Sequence, residues 1–87
     1  MTKHTPGPWL VEGRTVYALN DDGYNRFSAL VQDAHTPGDE LEANARLIAA
    51  APELLEFALL FLERNGADET WMTAQARAAI AKARGEA

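Results

Sequence analysis

Two histidines, one serine and several carboxylates are the residues here whose types could move protons, attack a carbon or hold an ion. Nucleophilic catalysis would need Ser28 or a threonine, with His4 or His35 as the base. Ser28 lies within a run that reads as a strand, not at the strand–helix elbow where a catalytic serine is exposed. The chain has no GxSxG, no HExxH and no phosphate loop. It has no cysteine, which excludes disulfides, thiolate nucleophiles and thiolate metal sites. His4 and His35 each open a His-Thr-Pro-Gly segment, at residues 4–7 and 35–38. Two turns of like composition are the plain reading; a shared metal or anion is the sharp one, and zinc needs three or four ligands. Asp21-Asp22 sits beside Gly23 without the further acidic ligands of a calcium loop. Asp39, Glu40 and Glu42 belong to the start of a helix, where the dipole favours them. The expectation is a protein with no catalytic residue, no metal and no cofactor.

Binding chemistry has more to draw on. Arg14, Arg26 and Arg46, with Trp9, Tyr17 and Tyr24, are the parts from which an oligomer could build a cationic, aromatic-lined interface pocket for a nucleotide. Eight basic residues against thirteen acidic ones give a net charge of −5. That balance opposes phosphate-backbone binding, which needs a basic surface. No basic recognition helix is visible, so a DNA-binding regulator is the weakest reading. The acidic residues from Glu40 to Glu63 form a face that is either solvated or able to compete for a basic groove on a partner.

These residues must be positioned by a small fold. The chain has 87 residues, of which 47% are hydrophobic and 24% charged, the balance of a single globular domain spanning 1–87. A domain of this size buries only about 60–65% of its unfolded surface, so its core is thin and assembly would help it. Residues 1–33 hold most of the β-branched, aromatic and turn residues. Trp9–Glu12, Thr15–Leu19 and Arg26–Gln32 read as three strands. Gly13-Arg14 and Asn20-Asp21-Asp22-Gly23 supply the turns, giving an antiparallel meander.

The second half reads as helical. Over residues 39–64, steps of about 100° place Leu41, Leu47, Ile48, Ala51, Leu55, Ala58, Leu59 and Leu62 on one side. Pro52 either kinks one long amphipathic helix or follows a break at Ala51 that divides two. Asn44 falls on the apolar side, where its amide would be buried and would bond strand or loop backbone. Asn65-Gly66 reads as an αL-type stop. A C-terminal alanine-rich helix covers 68–84, with Trp71, Met72 and Ile80 as its large apolar residues. Three strands need a helix against them. The predicted fold is therefore α+β and two-layered.

Apolar residues exceed what this plan hides. With Val16, Ala18, Phe27, Ala29 and Val31 facing inward, Tyr17, Leu19 and Leu30 face outward. Phe57, Leu60 and Phe61 lie toward the polar side of the long helix or at its edge. A small monomer rarely exposes a large contiguous apolar patch. Either the last helix covers these residues, or they form the surface of a homo-oligomer or of a partner complex. The start from Met1 to Trp9 has no apolar core of a secretory leader, and Leu54–Leu62 is too short to span a bilayer of roughly 20 residues. The expected location is the cytoplasm of a bacterial host, away from membranes.

Three segments carry a resemblance. They are Thr5-Pro6-Gly7-Pro8-Trp9, the run Ala43-Asn44-Ala45-Arg46-Leu47-Ile48-Ala49-Ala50-Ala51-Pro52-Glu53-Leu54-Leu55-Glu56, and Ala76-Arg77-Ala78-Ala79-Ile80-Ala81-Lys82-Ala83. In this order the chain resembles a widespread group of small phage and prophage proteins. It is also similar in part to the longer early-region phage proteins called Ea22-like. The resemblance implies a phage accessory gene expressed in a bacterial host, and it carries over no catalytic or binding residue. Accessory products of this size work mostly by binding. The expected function is a non-enzymatic, stoichiometric antagonist of a host factor, for example a CRISPR–Cas or other defence component. The alternative is an oligomeric protein that sequesters a small ligand or nucleotide signal.

Overall fold

The structure, a computed structural model, describes residues 4–86. The first three residues of the segment read as lacking a leader lie outside the described residues. The elements run β1 (Leu10–Glu12), β2 (Thr15–Leu19), β3 (Asn25–Leu30), α1 (Gly38–Ala49), α2 (Ala51–Asn65) and α3 (Trp71–Arg84). The expected α+β arrangement is present: a three-stranded antiparallel sheet of order β1-β2-β3, followed by helices. The chain divides into two compact units, His4–Pro52 and the residues from Glu53 onward.

In the first unit the turns set the register. Gly13 takes φ +60 and no other described residue of the β1–β2 turn has a positive φ, which is the backbone of a II′ hairpin. Glu12 then pairs Thr15, Val11 pairs Val16 and Leu10 pairs Tyr17. Between β2 and β3 the Asn20 carboxamide oxygen accepts the N–H groups of Asp22 and Tyr24, both at 3.0 Å, and Gly23 takes φ +85. Asp21 and Asp22 thus occupy an Asx turn. Thr15 pairs Leu30, Val16 pairs Ala29, Tyr17 pairs Ser28 and Ala18 pairs Phe27; Leu19 then pairs Asn25, so the ladder skips Arg26 in a bulge.

Alternation along β2 buries Val16 and Ala18. Helix α1 packs over β2 and β1 and buries Leu41, Ala45 and Ala49, at i, i+4 and i+8. Val16, Ala45 and Ala49 form the core, with Trp9, Phe27 and Val31 packed against it. The Trp9 and Phe27 rings lie 5.1 Å apart, tilted. The sheet-facing side of α1 corrects the expected one. It is turned by about 100°, one residue, from the stripe through Asn44, Leu47 and Ile48. All three of those residues are exposed, Leu47 at 65%. Small alanines let α1 lie close to the sheet, and a wheel weighted by large side chains misses them. Asn44 is therefore not a buried docking amide.

The long helix is divided, and Ala50 marks the break. Ala50 caps α1 with its N–H directed at the Arg46 and Leu47 carbonyls, at 3.1 and 3.2 Å. Pro52 is the second residue of α2, where a missing N–H leaves no helical bond unmade. It is half-buried, and a Cβ built on Gly7 would lie 3.0 Å from the Pro52 Cβ. The bare backbone of Gly7 makes that approach feasible. Trp9 Nε1 donates to the Thr5 carbonyl at 3.0 Å, closing the opening segment on itself. Two of the three family-like segments thus meet within this unit.

In the second unit, α2 has no fully buried residue, and α3 buries Thr73 and Ile80. Helix α3 begins at Trp71, later than the expected 68–69, because Thr70 caps it. Thr73 N–H donates to Thr70 Oγ1 at 3.3 Å, and Thr70 N–H donates to Thr73 Oγ1 at 2.9 Å, a reciprocal capping box. Gly66 corrects another expectation. It is not among the positive-φ glycines; its N–H donates to the Leu62 carbonyl at 2.7 Å, continuing a helical turn. Arg77 ties the interhelical loop to α3, donating to Gly66 O at 2.9 Å and Glu69 Oε1 at 2.7 Å. No helix is long and apolar enough to cross a membrane, among the described residues.

Candidate functional site

Two surfaces could receive a partner, one in each unit. The first is the outer face of the sheet. Strand alternation puts Leu10, Glu12, Thr15, Tyr17, Leu19, Ser28 and Leu30 on the side opposite Val16. A hollow of about 420 Å³ opens there, lined by Glu12, Thr15, Tyr17, Asn25 and Ser28. Its lining offers hydroxyls, one carboxylate and one carboxamide. Leu19 and Leu30 stand at 45% and 62% exposure on the same face. Tyr17 is half-buried, directly across from Ser28.

The second surface belongs to α2 and α3. Phe57, Ala58 and Phe61 from α2, with Trp71, Met72, Gln75, Ala76 and Ala79 from α3, line a hollow of about 470 Å³. Gln75 contributes an amide and Trp71 an indole N–H, and the other lining side chains are apolar. Phe57 is 67% and Trp71 72% exposed. Leu60 is exposed as well but does not line the hollow; Phe61 is half-buried within it. Trp71 and Met72 were not singled out from the sequence as surface residues. A wheel on α3 alone finds them: Trp71 and Ile80 are nine positions apart, which puts them on opposite sides.

The residues set aside for chemistry are not brought together as a site. Ser28 sits mid-strand on an exposed face. His4 and His35 are both exposed and in different settings. His4 Nδ1 lies 2.8 Å from the Thr5 carbonyl and its ring meets Trp9 edge-on at 6.2 Å. The second segment is held by Asp33, whose Oδ2 accepts from Thr36 Oγ1 at 2.6 Å and from the His35 N–H at 3.3 Å. No group of three or more histidines and carboxylates could hold a metal, among the described residues. Arg14, Arg26 and Arg46 are exposed, and none of them lines either hollow. Trp9 packs against the core, and Tyr24 is exposed beside the β2–β3 turn.

The family model of Salmonella phage P22 protein Y8K6 matches residues 1–87. The chain belongs to this phage protein family. The match extends over the opening segment, the α1–α2 junction and the alanine-rich helix, and it agrees with the phage resemblance of those segments. It adds nothing to the partial similarity with Ea22-like proteins. No curated protein and no solved structure matches the chain.

Proposed function

We infer that this phage protein acts by stoichiometric docking onto a host protein, without turnover, and that the outer sheet face is its docking surface. The observation that carries the reading is the make-up of that face. A tyrosine and hydrogen-bonding groups surround an open hollow, and exposed leucines stand around them. Mixed apolar and polar surface with a central aromatic is the composition of interfaces that form between independently folded proteins. The open edges of β1 and β3 add backbone groups for strand pairing. A phage accessory product meets host factors after entry, and a defence component such as a CRISPR–Cas subunit is the class of target that fits.

The test is retention of an identified partner by the full-length tagged chain in its natural bacterial host. Wild type should hold one host polypeptide at fixed stoichiometry and suppress that polypeptide's activity. Leu30→Glu and Tyr17→Ala should abolish retention while the circular dichroism spectrum stays unchanged. Retention indifferent to both substitutions, or substrate turnover by the pure chain, would overturn the reading. A small ultraviolet-absorbing ligand released on heating would move the function to ligand sequestration.

A further inference from the structure

Helix α2 carries two apolar stripes. Leu55, Ala58 and Leu62, at i, i+3 and i+7, are half-buried in the single chain. Leu54, Phe57 and Phe61 repeat that spacing on the neighbouring side, and Leu54 and Phe57 are mostly exposed. A helix apolar on more than one side is covered on more than one side in its working state. The second stripe runs straight into the α2–α3 hollow with Trp71 and Met72.

We propose that the α2–α3 surface is half of a helical bundle and that a second copy of the chain supplies the other half, each hollow facing the other. The packing parts are all present in one copy: large side chains in Phe57, Trp71 and Met72, and a floor of alanines in Ala58, Ala76 and Ala79. An isologous contact sets the large groups of each copy over the small ones of the other.

Area and composition favour a second copy. Full burial of a Phe or Trp removes about 150–250 Å², so Phe57 and Trp71 with Leu54 and Met72 leave on the order of 500 Å² of apolar surface per copy. Two copies together reach the roughly 1,000 Å² of a specific interface. The composition, nearly free of polar groups, is that of permanent homomeric interfaces, unlike the mixed outer sheet face.

The experiment uses the full chain at micromolar concentration. Sedimentation should give twice the chain's 9.5 kDa. In a Trp9→Phe background, Trp71 is the sole tryptophan and should be quenched by acrylamide several-fold less than in the same chain carrying Phe57→Glu. Phe57→Glu should sediment as a folded monomer, whereas Leu19→Glu on the sheet should leave the dimer intact. A wild-type chain that remains monomeric overturns the proposal. So does a dimer in which Trp71 stays freely quenched and Phe57→Glu changes nothing, because the contact is then elsewhere. Protection of Trp71 only when a host polypeptide is bound would give this surface to the host partner and likewise overturn self-assembly. Failure of this test leaves the sheet-face reading standing, since Leu30→Glu and Phe57→Glu address different surfaces.

Discussion

The sheet unit and the helix pair use the same kinds of apolar residue to opposite ends. In the sheet unit, β2 and α1 between them bury Val16, Ala18, Leu41, Ala45 and Ala49, and Trp9 closes one side. Its own helix covers its own sheet. In the helix pair, α3 buries only Thr73 and Ile80, α2 buries nothing completely, and Phe57 and Trp71 face outward. The difference lies in where the alanines sit. Ala45 and Ala49 of α1 face inward and bring the helix onto the sheet, while Ala76 and Ala79 line an open hollow. Small residues that close one unit leave the other with a receptive surface.

The largest effect that can break this comparison comes from a charge at Ala45. Ala45 has no exposed surface and stands against Val16. Ala45→Asp places an uncompensated carboxylate in the core and should cost at least about 3 kcal/mol, enough to unfold the sheet unit. Ala74→Asp, on an exposed position of α3, should stay within about 0.5 kcal/mol. Denaturant midpoints compare the two directly, and equal losses would deny that the units differ. Trp9→Ala comes next. It removes the ring packed on Phe27 and the bond to the Thr5 carbonyl, and should cost about 2–4 kcal/mol in the same measurement.

Much of the sheet was legible in the sequence because its signals are local. Period-two alternation, Gly13 and the Asn20–Gly23 turn fix strand positions within two residues, and alternation alone sends Tyr17, Leu19 and Leu30 outward. The helices were less legible because their signals are relative. A single wheel drawn through residues 39–64 assumes one phase, and the break at Ala50 lets α2 turn independently of α1. The α1 docking side was hidden because alanine carries little hydrophobic weight, although it permits the closest approach. The apolar hollow was half legible. Phe57 and Phe61 stood out on α2, but an α3 start set too early and a count of its apolar residues without their phase concealed Trp71 and Met72 as its other wall. The contact of Gly7 with Pro52 left no local trace at all, since neither residue needs the other for its own conformation.

A smaller effect sharpens the helix side of the comparison. Thr73 is almost fully buried, accepts the Thr70 N–H, and has the Asp68 and Thr70 carbonyls at 3.0 and 2.9 Å from its hydroxyl. With so little apolar burial in α3, this polar knot contributes a large share of its anchoring. Thr73→Val keeps the shape and removes the bonds, and should cost about 1–2 kcal/mol, read as earlier thermal unfolding. Thr73→Ser should recover most of that loss. A Val variant as stable as wild type would mean that apolar packing alone fixes the start of α3.

The smallest expected effect is the most pointed, because the sequence pattern and the structure disagree about it. If Asn44 lay on the docking side of α1, Asn44→Leu would strand buried backbone groups and cost about 1–3 kcal/mol. The structure instead places Asn44 in solvent, on the opposite flank from Ala45 and Ala49. Leucine favours helix more than asparagine does, by about half a kcal/mol. Asn44→Leu should therefore leave stability unchanged or raise it slightly, while Ala49→Leu, which must fit beneath the helix against Val16, should lower it by about 1–3 kcal/mol through overpacking. Measured together by urea denaturation, the two substitutions locate the sheet-facing side of α1. A reversed order, with Ala49→Leu harmless and Asn44→Leu costly, would rotate the helix back to the stripe of large residues and take the alanine-floored core with it.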